Sequence, residues 1–120
     1  MEIELLNIQS LSQAKEEISK VGASPISVNI MAPKAVFYVV KVTCVSATAA
    51  NILKQEMLSK GGEAAVHAGA VNCRQKNSDV ILMGTLAQYR KVLRNLRIQP
   101  LGLPLLAEKL KTLLAYEGSG

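Results

Sequence analysis

The sequence predicts an α/β sandwich, or the related α+β arrangement, with one mixed sheet of about four strands and helices packed on it. Apolar runs at 36–44 and 79–83 have the character of buried strands. Stripes at helical spacing follow Ser10, Ser46 and Thr85, residue types that cap helix N-termini. The two kinds of segment interleave in the order β-α-β-α-β-β-α-α.

Glu2 to Ile8 is expected to be a strand, with Ile3 and Leu5 on one face before the alternation changes phase at Leu6. Ser10 and Gln13 then match a capping box, in which each side chain satisfies the other residue's free backbone donor. Leu11, Ala14, Ile18 and Val21 continue at helical spacing until Gly22 stops the helix. Ala23 to Pro33 carries Ser, Pro and Asn and is expected to be irregular. Ala35 to Cys44 is the clearest strand: Val36, Tyr38, Val40, Val42 and Cys44 make one apolar face, opposite Phe37, Val39, Lys41 and Thr43.

Ser46 can cap a second helix whose stripe is Ala49, Ile52, Leu53, Glu56 and Met57, closed by Gly61-Gly62. Glu63 to Ala70 reads as a short strand ending in a turn, and Asp79 to Met83 as a buried strand. It runs through Gly84 into a second capping box, Thr85 to Gln88, whose helix buries Leu86, Tyr89, Val92, Leu93 and Leu96 before Pro100. A last helix starts near Pro104, with Leu106, Leu110, Leu113 and Leu114 facing in.

At 120 residues the chain has the size of one domain, assigned to 1–117, with 118–120 (Gly-Ser-Gly) as a linker or expression scar. Apolar residues make up 49% and charged residues 19%, which excludes wholesale disorder. No stretch approaches the roughly 18 apolar residues of a membrane span. The acidic start at Glu2 and Glu4 is unlike a signal peptide, so a cytoplasmic location is expected. Phe37, Tyr38, Tyr89 and Tyr116 are the aromatic residues, so the core should be mainly aliphatic.

The net charge of +5 is unevenly placed. Arg74, Lys76, Arg90, Lys91, Arg94, Arg97, Lys109 and Lys111 face Asp79 and Glu108 over the same stretch. Such a basic region suits an anionic ligand, an acidic partner or nucleic acid. Arg90, Arg94 and Arg97 stand at i, i+4 and i+7 and share one helix face. The aromatics that would stack on bases are missing around them, so nucleic acid is the least favoured. Cys44, Cys73 and the single His67 fall short of the four ligands of a zinc site, and no disulfide is expected in the cytoplasm.

Two further places could carry chemistry. Gly84-Thr85 opens a helix where backbone N–H groups attract anions, although the sequence matches neither phosphate-binding loop motif and a capped turn is the commoner use. Lys54 and Gln55 lie off the apolar stripe and suit a solvated face, while Glu56 on the stripe needs a hydrogen-bonded or charged partner. No nucleophile, base and orienting acid form a catalytic set.

Three stretches resemble the N-terminal accessory region of long-form dihydropteroate synthases. They are Ile30-Met-Ala-Pro-Lys-Ala-Val-Phe37, then Ala49 to Leu58 continuing through Gly61-Gly-Glu-Ala-Ala-Val66, then Asp79-Val-Ile-Leu-Met-Gly-Thr85. Gln99-Pro-Leu-Gly-Leu103 is similar as well. The resemblance implies folate biosynthesis: the family condenses 6-hydroxymethyl-dihydropterin diphosphate with p-aminobenzoate in a Mg²⁺-dependent (β/α)8 barrel. Such a barrel needs about 250 residues, so no catalytic residue and no cofactor is assigned to this chain, and the barrel would be its partner in the same polypeptide. Lys34, Lys54, Gln55, Glu56, Glu63, Gly84, Thr85, Arg90, Arg94 and Arg97 are then candidates for docking to the barrel, for a homodimer contact, or for holding an anionic pterin. The competing expectation is a free-standing module that binds a pterin, a nucleotide or RNA through its basic face.

Overall fold

The computed structural model describes residues 1–70 and 77–119; Cys73, Arg74 and Lys76 lie outside them. Helix α1 spans Leu11–Lys20. Ser10 Oγ accepts from the Gln13 N–H at 3.2 Å. The Gln13 carbonyl oxygen, however, takes the N–H of Gln9 at 2.7 Å instead of that of Ser10, so the expected box is shifted by one residue. Ala14 is buried, but Val21, expected on the inner stripe, is 86% exposed where the helix ends ahead of Gly22 at φ +95°.

Ala23 to Pro33, expected to be irregular, contains helix α2 at Pro25–Met31 and a 3-10 turn at Ala32–Lys34. Its start signal is clear in hindsight. Ser24 Oγ accepts from the Ser27 N–H at 3.2 Å, and Pro25 occupies the first turn, where a missing donor costs nothing. Val28, Ala32, Pro33 and Val36 are buried along this path.

Strand β1 covers Phe37–Ser46. Tyr38, Val40 and Val42 point inward as expected, whereas Cys44 does not. A register shift between Val42 and Val45 puts Cys44 at φ +57°, exposed, and Val45 takes the inward place. Helix α3, Ala47–Ser59, is capped by Ser46 and buries Ala47, Ala49, Ala50, Leu53 and Met57. Ile52 and Glu56 are half-buried at the margin of that stripe. Gly61 at φ +88° turns the chain into β2, Glu63–Ala65, and a 3-10 turn at Ala68–Ala70.

Strand β3, Asn77–Thr85, leads directly into α4, Leu86–Leu96. Both halves of the Thr85–Gln88 capping box form, and Leu86, Tyr89, Val92, Leu93 and Leu96 are all buried. Helix α5 runs from Leu103 to Ser119, so Gly118 and Ser119 are helical where a linker was expected. It buries Leu103, Ala107, Leu110 and Leu114. That stripe advances by four, three and four residues, which leaves Leu113 off it and 43% exposed.

The strands form one antiparallel sheet in the order β1-β3-β2. Among the described residues it has three strands with antiparallel neighbours, not a mixed sheet of about four, because Met1–Gln9 carries no regular structure and Ile3 and Leu5 are 97% and 98% exposed. Strands β1 and β2 run parallel on either side of β3 with α3 crossing between them, a split β-α-β unit. Val40↔Leu82 and Val42↔Val80 pair on the face beneath α3 and α4. Val39↔Met83 and Lys41↔Ile81 lie on the opposite, open face. The class is therefore mixed α and β in the α+β arrangement, with strands and helices interleaved after α2 and neighbouring strands antiparallel. No helix among the described residues is long and apolar enough to cross a membrane.

The core is aliphatic around one aromatic ring. Tyr89 is fully buried and its hydroxyl donates to the Tyr38 carbonyl at 2.9 Å, joining α4 to β1. Burial pushes the phenol well above its ordinary range. In the unfolded chain Tyr89 ionises near pH 10, whereas in the folded chain it stays protonated, so its contribution is full below that pH and declines above it. Tyr89→Phe should cost about 1 kcal/mol at pH 7 through the lost hydrogen bond. In urea unfolding between neutral pH and pH 11, that deficit should shrink above about pH 10, because only the wild type can ionise there on unfolding.

Candidate functional site

Helix α4 separates its residues by chemistry. Its apolar stripe turns to the core, and Arg90, Lys91, Arg94 and Arg97 remain exposed. Where α4 meets α5 a cleft of about 660 Å³ opens. Leu11, Leu86, Leu93 and Leu114 supply its apolar surface, and Arg90, Arg94, Arg97 and Lys111 supply four positive charges. Lys91 is not part of its lining.

No carboxylate is among the described residues that line the cleft. Among the described residues the ion pairs are Lys20 with Glu16 and Glu17, Lys41 with Asp79, and Lys54 with Glu63, so none belongs to these four cations. Arg94 and Arg97 lie at the C-terminal end of α4, where cations oppose the helix dipole at about 0.3–1 kcal/mol each. That structural benefit accounts for two charges at one helix end. It does not account for Arg90 and Lys111, which meet them across an apolar floor. Arginine above leucine suits an anion that also carries flat or apolar surface.

The other sequence candidates are placed elsewhere. Gly84 is buried, and a Cβ there would lie 3.0 Å from Gln88 Oε1 and 3.2 Å from Met57 Cε. The Thr85 N–H donates to Gln88 Oε1 at 2.8 Å, so this helix start is capped by its own chain. Lys54 Nζ donates to the Ala64 carbonyl at 3.1 Å and lies 3.5 Å from Glu63, clasping α3 to β2. The Ala64 N–H holds the exposed Glu63 carboxyl below the usual range, with a smaller contribution from Lys54. Glu56 has the partner that its position demands: Asn95 Nδ2 on α4 donates to Oε2 at 3.0 Å. Gln55 and Lys34 are exposed.

The structure thus brings Arg90, Arg94 and Arg97 together with Lys111, and brings Lys54 to Glu63, without joining the two groups. Sequence reasoning missed Lys111 and the leucine floor as site residues. The signal would have been the pairing of α4 with α5, which no local pattern encodes. Among the described residues no group of three or more His, Cys, Asp or Glu side chains could hold a metal ion.

No family model and no solved structure matches the chain. Two proteins do. The chain is 32% identical over 114 residues to the probable bifunctional folylpolyglutamate synthase/dihydropteroate synthase of Halobacterium salinarum, covering 94% of this chain and 14% of that protein. It is 30% identical over 112 residues to the bifunctional dihydropteroate synthase/dihydropteroate reductase of Helicobacter pylori, covering 93% of this chain and 29% of that protein. The chain is similar to part of each. Both names contain dihydropteroate synthase, and this chain spans less than a third of either protein's length.

The glycines around α3 and α4 give a stability test. A Cβ at Gly62 would lie 2.9 Å from the Met83 carbonyl oxygen as well as from Met57 Cε, and the former is backbone that cannot swing away. Gly62→Ala should cost about 1–3 kcal/mol as overpacking. Gly84→Ala meets movable side chains and should cost about 1 kcal/mol, through displacement of the Gln88 cap. Thermal unfolding of the two variants checks the order.

Proposed function

We propose that this chain is a non-catalytic domain of a folate protein containing dihydropteroate synthase, and that its α4–α5 cleft docks an acidic face of the catalytic part. The observation that carries the proposal is the cleft itself, with four cations over a leucine floor and no carboxylate among the described residues that line it. Concentrating like charges is unfavourable unless an anionic surface meets them. The similarity to small portions of two such proteins supports the folate assignment. The synthase reaction, and the Mg²⁺ that the family resemblance attaches to it, then belong to the barrel, and this chain contributes positioning.

A second reading has its own support. The cleft volume lies within the roughly 300–1,000 Å³ of small-molecule sites, so an anionic pterin is the alternative occupant. RNA fits less well, because no aromatic side chain is among the described residues that line the cleft.

The test supplies this chain and the remainder of the longer protein as separate polypeptides. Arg90, Arg94 and Arg97 changed together to Ala should weaken their association at least tenfold, about 1.4 kcal/mol, with wild-type association also falling as salt rises. Association unchanged by the triple variant overturns docking through the cleft. Titration of the isolated chain with pyrophosphate, followed by the methyl resonances of Leu86, Leu93 and Leu114, distinguishes the readings: saturable shifts that vanish in the triple variant favour the anionic ligand.

A further inference from the structure

Two unpartnered features stand apart from the cleft. One is the N-terminal segment, whose alternating Glu2, Ile3, Glu4 and Leu5 have the period of a strand. Ile3 and Leu5 are almost fully exposed, while Leu6 to Ile8 lie beside Gln13, Glu16 and Glu17 of α1. The other is the edge of β1 that faces away from β3, which pairs with no strand among the described residues.

That edge borders a groove of about 550 Å³ lined by Val40 to Ser46 and, across from it, by α5. The helix wall is apolar apart from Lys109, with Leu105 and Leu113 exposed beside Leu106 and Leu110. An edge strand offers a row of N–H and C=O groups to any extended chain that reaches it.

The chemistry of the segment matches both faces that a strand in this position would meet. Added beside β1, it would turn one set of alternate side chains inward and the other outward. The inward face, shared with Val40 and Val42, adjoins the leucines of α5 and suits Ile3 and Leu5. The open face carries Lys41, opposite Ile81; the exposed Lys41 ammonium lies 3.6 Å from Asp79 and can be shared with Glu2 or Glu4. Among the described residues Lys41 and Lys109 are the charged side chains lining the groove, while those of the segment are acidic.

We propose that residues 2–5 of a second copy of this chain form the missing fourth strand on the free edge of β1, and that the exchange is reciprocal. The exposure of Ile3 and Leu5 shows that Met1–Leu5 projects from its own molecule, and a two-fold exchange uses both arms and both β1 edges, so it closes at two copies. The resulting sheet has four strands in each protomer, in the order arm-β1-β3-β2.

The test measures oligomeric state by sedimentation over a broad concentration range, using the 120-residue chain. Ile3→Asp with Leu5→Asp should raise the dimer dissociation constant at least tenfold and leave the circular dichroism of the fold unchanged, since both side chains are solvent-exposed. A synthetic peptide of residues 1–8 should compete with the wild-type dimer and yield monomers. Backbone amides of residues 2–5 should gain hydrogen-exchange protection only at concentrations where the dimer forms. A wild type that stays monomeric overturns the proposal. So does a dimer that survives the double substitution, or arm protection independent of concentration, which would mean a chain folding back onto its own edge.

Discussion

The fold depends on the position of β3 between β2, the strand just before it in the chain, and β1, the strand before that. Asn77–Thr85 pairs with β1 along one edge and with β2 along the other, so it closes the sheet over α3. Its inward residues Val80 and Leu82 are fully buried, and Gly84 brings the backbone against Met57 of α3. Because β3 continues into α4 without a loop, the Thr85–Gln88 cap transmits its position to the helix that bears the arginines. Tyr89 then closes the arrangement by bonding back to β1. Each later feature inherits its geometry from that strand.

Local signals were legible in the sequence where they act over a few residues. The Ser46 cap, the complete Thr85 box and the five-residue stripe of α4 all stand where the residue types place them. So does the inner face of β1 as far as Val42. The Ser24-Pro25 start of α2 was equally local, but the Ser and Asn around it suggested a loop. Cys44 departs from its expected face because a bulge changes phase, and alternation alone cannot report an extra residue. Glu2 to Ile8 shows the reverse failure: strand-like alternation is present, yet a strand exists only where another strand pairs with it.

The site was half legible for the same reason. Arg90, Arg94 and Arg97 share a face by spacing alone. Lys111 joins them only because α5 packs beside α4, a contact between segments with no mutual signature in the chain. Conversely, Gly84 and Thr85 had the local form of an anion site. Gln88 takes the Thr85 donor and Met57 takes the space above Gly84, so tertiary packing rather than sequence determined what that turn does.

Helix α5 has an unusual position between these features. One side of it, at Lys111, Leu114 and Ala115, forms a wall of the cationic cleft; the other, at Leu105, Leu106, Lys109, Leu110 and Leu113, forms a wall of the groove beside β1. The helix therefore has apolar surface on two faces, and only the stripe from Leu103 to Leu114 is satisfied by the core. A helix packed from one direction can shift along its axis or rotate at smaller cost than one enclosed on all sides. An occupant of either groove that prefers one position of α5 must then alter the width of the other groove, because the same helix is a wall of both. Coupling of this kind is reciprocal by thermodynamic necessity. It follows from a geometry in which one partly covered helix divides two surfaces that the isolated chain leaves open.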